Sequence, residues 1–174
     1  MKLHNFEFKA RAKDLKRLEL KLLELNPVYV GEDHQTDTYF TVKRGRLKLR
    51  EGNIENALIY YERPDTPSAK TSDILLFKHY PEASLKEILT RVNGIKAIVA
   101  KKRRIYFIEN VKFHFDTIPE LGTFVEVEAL DENGQIPVEK LQEQCINYFS
   151  FFELEEKDFV SKSYCELILD RVEE

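Results

Sequence analysis

Apolar and polar residues alternate with a period of two along most of the chain, the spacing that sends successive side chains to opposite faces of a strand. This alternation predicts strands over roughly 3–12, 36–42, 46–51, 56–63, 72–80, 97–108, 111–117 and 123–130. Four stretches carry the helical period instead. In the first, Asp14 to Leu25, a capping Asp14 precedes Leu15, Leu18, Leu22 and Leu25, and the run stops before Asn26-Pro27. A second runs from Ser84, which Glu87 completes as a capping box, through Leu85, Ile88, Leu89 and Val92 to Gly94. A third opens at Pro137 as its first helical residue and sets Val138, Leu141, Cys145, Tyr148 and Phe149 on one side; a fourth spans Asp158 to Val172. The pattern is α+β, and eight strands suffice to close a small antiparallel barrel.

Charge follows the same alternation. Glu7, Lys9 and Arg11 share one face of the first strand against Phe6, Phe8 and Ala10, and Arg46, Lys48 and Arg50 stand in phase against Leu47 and Leu49. Lys101 and Arg103 repeat the spacing, followed by Lys112, His114 and Asp116 and then by Glu126 and Glu128. In a single strand this is the ordinary pattern of a sheet with one face in water. Repeated over five strands, with four amphipathic helices available to cover the apolar faces, it predicts a closed barrel flanked by helices, apolar outside and charged within.

The 174 residues suit one domain, read as 1–174, and with 33% charged and 43% hydrophobic residues they belong with compact globular chains. A formal net charge of -4 argues against a nucleic-acid partner, so any basic site is local. No run reaches the roughly 18 apolar residues of a membrane span, and the opening MKLHNFEFKARAK lacks the apolar core of a signal peptide. The expectation is a cytoplasmic protein without a membrane partner. Cys145 and Cys165 lack metal-ligand spacing and read as semi-buried thiols.

Cations facing carboxylates inside a barrel suit a polyanion and a hard metal ion, since Arg and Lys take phosphate oxygens while Mg²⁺ takes carboxylate and phosphate oxygens together. The quoted segments resemble the CYTH family of triphosphate tunnel enzymes, which groups class IV adenylyl cyclases, thiamine triphosphatases and inorganic tripolyphosphatases. Asn5-Phe6-Glu7-Phe8-Lys9 is similar to the opening Glu-x-Glu-x-Lys signature, with Asn5 in place of the first Glu. Gln35 to Phe40 resembles the second strand, Leu47-Lys48-Leu49-Arg50 the next basic strand, and Leu58 to Pro64 a strand carrying a cation before a turn. Val99 to Arg103 resembles the Val-x-Lys-x-Arg strand, and Phe115-Asp116 with Leu121 to Glu128 the closing pair.

The resemblance implies a phosphate grip of Lys9, Arg11, Lys48, Arg50, Arg63, Lys101 and Arg103, and Mg²⁺ or Mn²⁺ held by Glu7, Glu126 and Glu128. Glu7, Lys9, Arg103 and Asp116 are the implied catalytic residues, with ATP, thiamine triphosphate or tripolyphosphate as substrate. Asn5 offers only a neutral oxygen, which weakens a site requiring both carboxylates. Three readings follow: a triphosphate phosphohydrolase, a cyclase making cyclic AMP and pyrophosphate, and a non-catalytic polyphosphate or nucleotide binder. Glu62 competes with Arg63 for its position, His114 is either a proton carrier or structural, and Tyr39, Tyr60 and Tyr61 either stack on a base or fill a strand face. The loop from Pro64 to Ser72, with Lys70, either closes a tunnel mouth or is a solvated turn, and a bare barrel wall would permit a homodimer.

Overall fold

In the computed structural model, which describes residues 2–62 and 70–173 and the side chains of 4–62 and 72–172, a closed antiparallel barrel is flanked by helices. The strands are β1 (Lys2–Arg11), β2 (Val28–Phe40), β3 (Arg46–Glu51), β4 (Ala57–Glu62), β5 (Lys70–Lys78), β6 (Ile95–Ile108), β7 (Val111–Ile118) and β8 (Gly122–Asp131). Around the barrel they run β1-β5-β4-β3-β2-β6-β7-β8, so β1 joins two meanders by pairing with both β5 and β8. The helices are α1 (Leu15–Leu23), α2 (Ala83–Asn93), α3 (Val138–Phe151) and α4 (Tyr164–Glu173).

The apolar faces point outward where helices meet them. Phe6, Phe8, Phe113, Phe115, Val125 and Val127 pack against Leu18 and Leu22 of α1 and against Leu141 and Cys145 of α3. Asp14 caps α1 as expected, its Oδ1 accepting from Arg17 N at 3.0 Å. A second cluster lies inside the barrel at one end, where Tyr39, Val99 and Phe124 meet Tyr164 and Cys165 of α4. That mouth is filled.

Several expected boundaries move. β2 begins at Val28 rather than 36, because the stretch from Val28 to Gln35 pairs with β6 despite its charges, absorbing a bulge between Tyr29 and Gly31. The Ser84–Glu87 capping box does not form: α2 starts one residue earlier, Ser84 Oγ donates to Glu82, and Glu87 pairs with Arg91. Pro137 is the cap of α3 rather than its first helical residue. The fourth helix begins at Tyr164, since a short 3₁₀ turn at Glu156–Asp158 releases Phe159 to stack on Phe149 at 4.5 Å. Nor do the helices cover every apolar face: α2 has no buried residue, and Leu75 and Phe77 on the outer face of β5 are exposed. No helix among the described residues is long and apolar enough to cross a membrane.

Candidate functional site

A cavity of about 660 Å³ occupies the barrel, lined by Glu7, Lys9, Lys48, Arg50, Lys101, Arg103, Glu126 and Glu128 among others. These expected residues do converge, because strand alternation carries each of them inward from β1, β3, β6 or β8. Arg11 stands apart, exposed, with Nη1 donating to Leu121 O at 3.0 Å and the guanidinium over the Phe124 ring. Arg63 lies outside the described residues. Glu62 pairs with Arg44 and accepts from Tyr60, and it does not line the cavity; Tyr39 and Tyr61 do.

The cations are organised by two fully buried carboxylates. Asp37 accepts from Arg50 Nε and Nη2, both at 2.9 Å, and from Lys101 Nζ at 2.8 Å, with Lys48 Nζ at 3.3 Å. Burial alone would raise the Asp37 pKa, but Arg50, Lys101 and Lys48 hold it well below the usual carboxylate range. The lysines feel the reverse, since burial pushes Lys101 far down and lowers Lys48, and Asp37 offsets only part of this. An arriving anion would restore what burial removes. The role of Asp37 was readable from its phase with Gln35 and Tyr39, yet sequence reasoning passed over it.

Asp116 plays the same part for Arg103, accepting from Nε at 2.7 Å and Nη2 at 2.6 Å, and it also accepts from Tyr164 of α4 at 2.7 Å. Asp116 itself has no exposure and does not line the cavity, so it reaches the cavity through Arg103 and Tyr164, which do. Lys9 lies 4.1 Å from the Tyr164 ring centroid, and its Nζ donates to Lys162 O at 3.4 Å. Tyr164 thus joins α4 to the cation set, a contact between distant elements that no local pattern announces.

Across the β1–β8 ladder Glu7 stands directly opposite Glu128. Like charges in this position repel. Asn5 bridges them, its Nδ2 donating to Glu128 at 2.6 Å and to Glu7 at 3.2 Å. Burial, and then Glu7, push the Glu128 pKa up to about 7. Asn5 Oδ1 is buried with no hydrogen-bond partner among the described residues.

Two repelling carboxylates beside an orphaned amide oxygen are suitable donors for a hard divalent cation. The described residues nevertheless do not present three ready His, Cys, Asp or Glu ligands. Glu126 accepts from Arg103 at 2.8 Å and from His114 Nδ1 at 3.3 Å, so it would have to turn to join them. That bond places the His114 proton on Nδ1 and leaves Nε2 as an acceptor with no partner among the described residues. Burial, with the positive Arg103 nearby, lowers the His114 pKa to about 3.

Sequence comparison matches the CYTH domain over residues 3–164. The chain belongs to the CYTH family. No curated protein matches it. Among solved structures this CYTH barrel is similar to the PH1012 protein of Pyrococcus horikoshii OT3, at 24% identity and a TM-score of 0.81, covering 94% of this chain and 98% of the other. A candidate adenylate cyclase from Vibrio parahaemolyticus superposes with a TM-score of 0.77 at 19% identity, covering 95% and 97% of the two chains. HpAC1 from Hippeastrum, for which a dominant triphosphatase activity is described, gives 0.63 at 12% identity, covering 100% and 97%. Likenesses this distant establish the shared fold of the CYTH barrel. They leave its chemistry to its own residues.

Proposed function

We propose that this CYTH barrel binds a triphosphate bearing an organic group and hydrolyses it with Mg²⁺ or Mn²⁺. The observation that carries this reading is the cluster at Asp37, where one carboxylate meets three cationic side chains inside a closed barrel whose lining also sets Glu7 directly opposite Glu128. Clustered cations near two facing carboxylates suit a metal–polyphosphate. Lys9, Lys48, Arg50, Lys101 and Arg103 bind phosphate oxygens and absorb the charge that develops on phosphoryl transfer. Glu7 and Glu128 would hold the metal, with Asn5 Oδ1 or a turned Glu126 completing the set, and a metal bound there would supply charge neutralisation at the phosphate oxygens. The triphosphatase activity described for HpAC1 is in keeping with this reading.

An organic substrate is favoured by the opposite wall of the cavity, where Ile59, Ile74 and Leu76 face the charged strands. Inorganic tripolyphosphate has no apolar surface to place there. The same wall also supports a second reading, since a nucleobase held on it would allow ATP to be cyclised on the same phosphate grip.

The deciding experiment offers ATP, thiamine triphosphate and tripolyphosphate separately with Mg²⁺ or Mn²⁺ and resolves the products. Orthophosphate is expected. Cyclic AMP with pyrophosphate would replace hydrolysis by cyclisation, and tight binding without turnover would reduce the site to a binder. Replacing Glu126 and Glu128 together by Gln is expected to abolish metal-dependent turnover in a folded protein; unchanged kinetics would remove the metal assignment.

A further inference from the structure

The turn between β3 and β4 is built around a buried carboxylate, that of Asp33. Asp33 accepts from Ile54 N and Glu55 N, each at 2.9 Å, and from Gln35 Nε2 at 2.8 Å. Gly52 is required there, because a Cβ at that position would lie 2.5 Å from Asp33 Oδ1. Asn53 and Asn56 tie the turn further, Asn53 Oδ1 accepting from His34 N at 2.6 Å and Asn56 Oδ1 from Gly52 N at 3.0 Å. This framework fixes the backbone of Glu55 and aims its side chain into the cavity.

Inside, the Glu55 carboxylate takes two cations from different walls. Oε2 accepts from Arg50 Nη1 at 3.1 Å and from Gln35 Nε2 at 3.1 Å, while Oε1 pairs closely with Lys112 Nζ. Arg50 already spends Nε and Nη2 on Asp37, so Glu55 covers a remaining donor of that guanidinium. A phosphate seeking Arg50 and Lys112 together meets a resident anion. The Glu55 side chain is 25% exposed at the cavity, so on its fixed backbone it has water to swing into.

We infer that Glu55 is an internal competitor for phosphate, which a triphosphate must displace before Arg50 and Lys112 can grip it, and that it thereby sets the affinity of the tunnel. This inference rests on the triphosphate reading above. Burial would raise the Glu55 pKa, yet Lys112 and Arg50 pull it well below the usual range, so the competitor remains charged. A charge-assisted contact given up on binding corresponds to roughly tenfold in affinity.

The test measures tripolyphosphate binding by calorimetry in EDTA, where metal-dependent turnover does not intervene, on folded wild type, Glu55→Gln and Glu55→Asp. Displacement predicts that both variants bind about tenfold more tightly. Asp keeps the charge but is one methylene too short to bridge the two cations. Tightening in Gln alone would mean that only the through-space charge matters and would overturn displacement, as would no tightening in either variant while wild type binds. If none of the three binds tripolyphosphate, and none binds ATP with Mg²⁺ either, the functional reading fails and the inference with it.

Discussion

Two parts of the tunnel wall face the same cavity and are built by different means. β1, β3, β6 and β8 present Lys9, Lys48, Arg50, Lys101, Arg103 and Glu126, whereas β4 and β5 present mostly apolar groups, Ala57, Ile59, Tyr61, Ile74 and Leu76, beside Ser72 and Lys78. On the charged side buried carboxylates hold cations in place: Asp37 holds Arg50 and Lys101, and Asp116 holds Arg103. The aliphatic side chains of the other wall carry no charge to balance. A change on the charged wall therefore strands a neighbour, while one on the apolar wall removes only the group itself.

The sharpest way to break this contrast is Asp37→Ala, which removes the anion that Arg50, Lys101 and Lys48 share and leaves Arg50 with Glu55. Urea unfolding is expected to show a loss of about 3–5 kcal/mol, the cost of stranding buried charge. A loss of less than about 1 kcal/mol would mean that water already screens the cluster.

Leu76→Ser probes the other wall. With Leu76 half-buried at the cavity, the fold should stand, while affinity for an organic triphosphate drops by about 1–2 kcal/mol and that for tripolyphosphate stays level. Equal losses for both ligands would show that the apolar wall does not touch the organic group.

The smallest effect is expected where α4 closes the tunnel. Glu166 accepts from Ser163 N at 2.6 Å and from Arg46 Nη2 at 2.9 Å, and although burial opposes it, these bonds lower its pKa to about 2. Its folded pKa lies below the unfolded value, so its contribution is full above about 4.5 and fades as pH falls toward about 2. Glu166→Gln should cost roughly 1 kcal/mol near neutral pH, and the difference in Tm from wild type should close in acid. A pH-independent difference would assign the effect to packing.

The barrel and most of its charged lining were legible because strand period fixes side-chain direction. Lys48 with Arg50, Lys101 with Arg103 and Glu126 with Glu128 are each two residues apart, so each pair shares a face wherever its strand lies. Residues whose role depends on a distant partner were not legible: Glu55 enters from a turn pinned by Asp33, and Tyr164 comes from a helix whose start moved six residues from the expected Asp158. Arg11 shows the converse. It keeps the phase of Glu7 and Lys9, yet β1 ends there, and its guanidinium leaves the barrel for Leu121 O.

By itself, then, the sequence determined which residues share a face, because that depends on local backbone geometry alone. Tertiary structure decided which cations are held by which carboxylates, where α4 packs against the barrel, and that β4 and β5 supply a mostly apolar wall. Those outcomes depend on closure of the barrel through β1, which brings Glu7 opposite Glu128, and on pairing of β2 with β6, which sets Asp37 beside Lys101. Contacts between residues so far apart in the chain have no period to reveal them.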